Sequence, residues 1–197
     1  MKLIMSNNSP YARRARITVR EAGLDEQVEE VMIKSFAELP SYGPGGKIPV
    51  LITDTGQSIC EALIITRYLN AVANAGLVPT DSDDLEVCLA LESTASVLMD
   101  SLFARSFEKN QRDEASRSTA VLEREQNRSQ RCYDTLDQAS LQAGTNVTVA
   151  SIAIIAALGY ADWRAQEDQW RTGRAGLANY FDQMMTRPAF AATKPVY

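Results

Sequence analysis

Three short runs carry side chains that could do chemistry. The first, Ser6-Asn7-Asn8-Ser9-Pro10-Tyr11, is a polar loop between the apolar run Lys2-Leu3-Ile4-Met5 and a helix. Free amides and the macrodipole at a helix N-terminus favour an anion. Ser9 stands where its hydroxyl either caps the first turn or donates to a bound thiolate or oxyanion. Asn8 and Asn7 are rival donors, because a primary amide donates equally well. The second run, Gly46-Lys47-Ile48-Pro49-Val50, puts proline at a strand start, which suits a cis bond or an edge position. The main chain of Ile48 could then pair with an extended peptide; otherwise the run is a loop-to-strand corner. In the third run, Cys60-Glu61-Ala62, a carboxylate opens a helix. It either complements the dipole or helps read a ligand carrying both ammonium and carboxylate.

Composition narrows the chemistry. The 197 residues contain no histidine, so imidazole catalysis, His-metal ligation and His proton shuttles are excluded. Twenty basic against 25 acidic residues give a net charge of −5, without the basic excess that grips nucleic acid. Cys60, Cys88 and Cys132 are widely spaced, with no CxxC pair, and read as small core residues of a reducing cytosol rather than a disulfide or zinc framework. The longest apolar stretch, Ile152 to Leu158, is far shorter than the ~20 residues that cross a bilayer. A soluble intracellular protein is expected, with no metal.

The elements that must position these runs read as follows. Lys2–Met5 is a strand. Ser9 at the N-cap, Pro10 at N1 and Gly23 past the end punctuate a first helix. Val28–Ile33, Ile48–Ile52 and Ser58–Ile59 are strands, 40–46 is loop, and Glu61–Ala73 is helical. The order βαβ-ββα predicts a small α/β unit with a partly antiparallel sheet. Beyond Pro79 strand signals vanish. Helices are predicted from Leu85 to about Lys109, Glu114 to about Leu141, Val147 onward, and Arg174 to Met185. The third of these is apolar nearly all round and therefore buried. Val147, Thr148 and Ile152 form its hydrophobic staple and cap, but Ser151 at N3 in place of an acid predicts an incomplete capping box. The alternating charges around Glu123–Arg128 read as an exposed face.

Taken in order, the motifs resemble the cytosolic glutathione transferase superfamily over essentially the whole chain. The matching residues are SPYARRAR (9–16), GKIPVL (46–51), CEALIITRYL (60–69), NVTVASIAI (146–154) and MMTRPAFAAT (184–193). Bacterial members with Ser-Pro-Phe/Tyr at the first helix are the nearest in pattern. The resemblance implies a thioredoxin-like N-terminal domain (1–77), a linker (78–84) and an all-helical domain (85–197). It implies a cytoplasmic homodimeric enzyme that conjugates glutathione, its cosubstrate, to a small hydrophobic electrophile, with neither nucleic acid nor membrane as partner. Ser9, or else Asn8, would contact the glutathione sulfur. Ile48 would pair with the cysteinyl part, with Lys47 beside it and Pro49 as cis-proline. Glu61 would bind the γ-glutamyl end. Ala62 stands where the family has serine, so one hydroxyl contact of about 1 kcal/mol is lost. That loss favours the alternatives, a catalytically weak glutathione-binding or interaction protein. Serine rather than cysteine at position 9 argues against a mixed disulfide but leaves peroxide reduction open.

The electrophile would lie between the domains, against the first long helix. Met99, Phe103 and Phe107, at i, i+4 and i+8, could line an apolar pocket there or simply form a core stripe. Trp163 either lies nearby or packs the core, and Asp100 could reach a ligand amine. Tyr11 matches an aromatic packing position. Arg13, Arg14 and Arg16 form either a basic cluster that steers an anionic tripeptide or a solvated, ion-paired face.

Overall fold

The computed structural model describes residues 1–140 and 146–195. Four strands, β1 (Lys2–Met5), β2 (Glu29–Met32), β3 (Val50–Ile52) and β4 (Ser58–Cys60), make one sheet in the order β2-β1-β3-β4. β1 runs parallel to β2, as it must when a helix makes the crossover, and antiparallel to β3, which pairs antiparallel with β4. Period-two alternation sorts the faces: Leu3, Met5 and Leu51 pack on α1 (Pro10–Glu21) and α2 (Ala62–Ala73), while Ile4 and Val50 face Leu39 of the 3₁₀ turn Phe36–Ser41. That turn occupies part of the predicted loop. Ser35 and Glu38 cap it reciprocally, and Leu39 supplies a third layer.

The rest is helical: α3 (Ser82–Gln111), α4 (Thr119–Ser140), α5 (Val149–Arg164), α6 (Ala175–Met185) and α7 (Pro188–Ala192). α3 begins three residues before the predicted Leu85. Asp81 is its N-cap, and its carboxylate accepts the amides of Asp83 and Asp84, so the acidic run is a helix start rather than linker. The expected end of α4 at Leu141 lies outside the described residues. α5 is buried along nearly its whole length, as its all-round apolar pattern requires. Its capping box is complete, correcting the expectation: Ser151 Oγ accepts the Thr148 amide at 2.8 Å while Thr148 Oγ1 accepts the Ser151 amide at 3.3 Å. Serine reaches because at N3 its short side chain folds back over the turn. Among the described residues, α3 is long and apolar enough to cross a membrane, but Leu98, Met99 and Leu102 are committed to the helical core.

α1 joins the two halves. Ala12, Ala15 and Val19 pack on the sheet, while Ile17 belongs to the helical core. Arg13, Arg14 and Arg16 are buried, which overturns the steering cluster and the solvated face, while the ion pairs of the second reading are present at Arg14 and Arg16. Arg13 is 1 % exposed and donates to the carbonyls of Ile155 and Phe190, each at 3.3 Å. Arg14 pairs with buried Glu92, which also takes Arg67 from α2, and Arg16 pairs with Glu30 at 2.9 Å. These guanidiniums are interdomain and intradomain clamps: burial is tolerated where a guanidinium's fork finds carboxylates or carbonyls.

Candidate active site

Strand register brings the three motifs to one end of the sheet. Ile4 faces Val50, and Val50 faces Cys60. The chain leaving β1 (Ser6–Ser9), the chain entering β3 (Ile48-Pro49) and the chain leaving β4 (Glu61) therefore emerge side by side. With strands ~4.8 Å apart they span about 10 Å, the reach of a short extended peptide.

Ser9 caps α1 in extended backbone. Its Oγ accepts the Ala12 amide at 3.2 Å, and its carbonyl accepts the Arg13 amide at 2.9 Å. A hydroxyl has two acceptor lone pairs and one donor, so capping leaves its hydrogen to serve an anion at the same helix end. Capping and donation are therefore compatible. Asn8 is exposed and accepts the Ser6 hydroxyl at 3.0 Å through Oδ1, a bond that does not use its amide hydrogens. Asn7, half-buried, is in the same turn.

The Ile48–Pro49 peptide is cis, with Pro49 buried, Ile48 half-buried and Lys47 exposed. Glu61 is the N-cap of α2 at φ 68°, ψ 118°, a conformation side chains other than glycine rarely adopt. Such backbone costs of order 1–3 kcal/mol and gathers at functional sites. It turns the exposed Glu61 carboxylate away from the usual capping hydrogen bond. The first-turn amides of α2, beginning at buried Ala62, lack intrahelical acceptors and are available to a carboxylate.

Tyr11 carries the site across to the helical half. Its hydroxyl donates to Asp100 of α3 at 2.6 Å, and its ring meets Phe103 edge-to-face with centroids 5.7 Å apart. Burial, then the Asp100 hydrogen bond and charge, push its phenol far above the ordinary value, with Tyr160 and Glu61 adding to the effect. Asp100 thus holds a tyrosine in this chain, and Tyr11 is more than packing.

The stripe Met99, Phe103, Phe107 divides. Phe103 and Phe107 are 43 % and 55 % exposed with rings 6.3 Å apart, whereas Met99 is 1 % exposed in the helical core. Met99 is therefore corrected from pocket lining to core. Four-residue steps drift by 40° each, enough to rotate Met99 inward under α5 while the phenylalanines face the cleft. Trp163 is half-buried, edge-to-face with Tyr160 at 5.8 Å and under the Arg164 guanidinium, which lies 3.5 Å from its ring centroid. Arg164 drew no attention in the sequence; a basic residue after a tryptophan at a helix end is too common to signal anything. A separate concavity of about 310 Å³, lined by Val97, Arg128, Arg131 and Cys132 among others, lies on the α3–α4 face away from the motifs.

Comparison with known proteins gives a consistent result. The family profile "Glutathione S-transferase, N-terminal domain" matches residues 8–72. A glutathione S-transferase of Methylobacillus flagellatus, solved with glutathione bound, is 31% identical with TM-score 0.91, and the match covers 99% of both chains. A glutathione transferase family member of Pseudomonas fluorescens, solved with S-(propanoic acid)-glutathione, is 26% identical with TM-score 0.91 over 100% of both chains. Among curated proteins, the uncharacterized GST-like protein YibF of Escherichia coli is 29% identical over 99% of this chain and 98% of its own.

Proposed function

The chain belongs to the glutathione transferase superfamily, and from that premise we propose that it conjugates glutathione to small electrophiles as a cytoplasmic homodimer. The observation that carries this reading is the Ser9 hydroxyl, engaged as an acceptor by the Ala12 amide and placed at the α1 N-terminus beside Ile48-Pro49 and Glu61. The arithmetic supports a direct donor. A free thiol near pKa ~8.5 is only a few per cent thiolate at neutral pH. Lowering it by about two units requires roughly 2.7 kcal/mol. A helix terminus contributes ~0.3–1 kcal/mol, a hydrogen bond to a charged acceptor about 1.5–3 kcal/mol. Dipole plus Ser9, or plus the Asn8 amide, reaches the required size; the dipole alone does not.

In this mechanism Ser9 holds the sulfur anion, the main chain of Ile48 pairs with the cysteinyl part, Lys47 flanks it, and Glu61 with the Ala62 amide receives the γ-glutamyl end. No group need cycle a proton, which suits a chain without histidine. Phe103, Phe107 and Tyr11 offer the electrophile an apolar wall. Relatives that bind glutathione, and one that binds a sulfur-substituted glutathione, support the reading. Exposed Leu63 and Ile64 on α2 and Leu89 and Val97 on α3 supply apolar surface for the dimer, across helices tied by Arg67 and Glu92. The test is whether bound glutathione ionises at neutral pH and forms a thioether with an added electrophile. Binding without ionisation would select the alternative, a glutathione-binding or interaction protein, which the loss of the serine hydroxyl at Ala62 favours.

A further inference from the structure

Arg164 stands apart from the carboxylate-paired arginines and from Arg13, whose guanidinium donates to two carbonyls. Arg14, Arg16 and Arg105 each meet a carboxylate. Among the described residues no carboxylate pairs with half-buried Arg164, and its Nε is enclosed without a hydrogen-bond partner. Its guanidinium lies on the Trp163 face, and its charge, after Ser106 of α3, opposes the rise that burial imposes on the Tyr160 phenol. Stacking on an indole offsets part of the cost of removing a cation from water but leaves the guanidinium edge unmatched.

Its neighbours lead back to the site. Tyr160 lies near enough to Tyr11 to raise its phenol, and Ser106, buried on α3, is one turn from the exposed Phe103. Tyr11, Phe103 and Phe107 make one run of ring contacts and Tyr160 with Trp163 another, from three helices that share the helical core, with the Arg164 guanidinium on the Trp163 face.

We propose that Arg164 reads a carboxylate on the electrophile, so that this chain's second substrates are anionic, aromatic or unsaturated acids rather than neutral apolar molecules. This rests on the transferase reading above. In the conjugation, the glutathione thiolate forms a bond to the carbon bearing the leaving group. For a chloroarene, the C–Cl bond breaks and chloride departs with the electron pair, the thiol proton having already passed to solvent. Arg164 touches none of these atoms; it sets which molecule is held.

The test compares acid with ester in the intact protein. Binding of 3,5-dinitrobenzoate and its methyl ester, neither of which can react, is followed by quenching of the two tryptophans, Trp163 and Trp170. Conjugation of 4-chloro-3,5-dinitrobenzoate and its methyl ester is followed with glutathione present. Wild type is expected to bind the acid about tenfold more tightly than the ester. Arg164→Gln should lose that preference, Arg164→Lys should keep most of it, and the same tenfold should appear in KM for the chlorinated acid alone. Equal binding of acid and ester by wild type, or a preference that survives Arg164→Gln, overturns the proposal. A preference in binding without thioether from either chlorinated compound supports the anion site and overturns the transferase reading, so the two failures are distinguishable.

Discussion

Ser9 accepts one hydrogen bond and has a second function left to offer, and the tyrosines show how strictly this interior fixes a hydroxyl. Burial first, then interaction with Asp100, raises Tyr11; burial, then Asp168, raises Tyr133. Burial raises Tyr160 and pushes Tyr180 up to about 12, against opposing hydrogen bonds from Ser106 and Ser151 respectively. Each phenol therefore binds its proton more tightly folded than unfolded. The associated stability is complete below about pH 10, the value of a free phenol, and is lost as pH rises through the folded values. We predict that the folded protein releases fewer phenolic protons between pH 10 and 11 than the same protein in urea, by absorbance at the phenolate band. Its urea midpoint should decline above pH 10, less steeply in Tyr180→Phe. Folded and unfolded titrations that coincide would contradict the burial of these hydroxyls.

At the scale of elements, α1 and α5 are locked by one side chain. A Cβ on Gly159 of α5 would stand 2.1 Å from Arg13 Nη1, so glycine here makes room for a guanidinium rather than a turn. Gly159→Ala gains about 1 kcal/mol of helix propensity. It also forces Arg13 from its carbonyls and overpacks a closed site, so a net loss of about 2 kcal/mol is predicted in urea unfolding. A stabilised variant would show that Arg13 has room to move. Nothing in the sequence marks this contact, because arginine at three of four positions in an amphipathic-looking helix reads as surface, and its carbonyl acceptors lie more than a hundred residues away. Ser9-Pro10 and Gly23 were legible because caps are local, as was the succession of strands and helices, because alternation and turn residues are local too; the order of the strands in the sheet was not read. The Ser151 box was missed for want of the usual acid at N3; the start of α3 at Ser82 was missed although Asp81 is a preferred N-cap, because the acidic run after Pro79 also reads as linker. The three sheet-end motifs were legible by their order; the division of Met99 from Phe103 and Phe107 needed the position of α5.

At the scale of the molecule, the motifs lie on one half and the aromatic wall on the other, with Tyr11–Asp100 between them. The inferred dimer covers apolar α2 and α3 surface, so Ile64→Glu with Val97→Glu is predicted to convert a dimer to a monomer in sedimentation; a monomeric wild type would contradict that assembly. The central claim, that α1 holds a sulfur anion through Ser9, is tested most directly by titrating protein-bound glutathione with pH and following thiolate absorbance, in wild type and Ser9→Ala. The account predicts a bound thiol about two units below free glutathione in wild type and a rise of about one to two units in Ser9→Ala, the worth of one hydrogen bond to a charged sulfur. Glutathione that binds with its ordinary thiol pKa in wild type would contradict it.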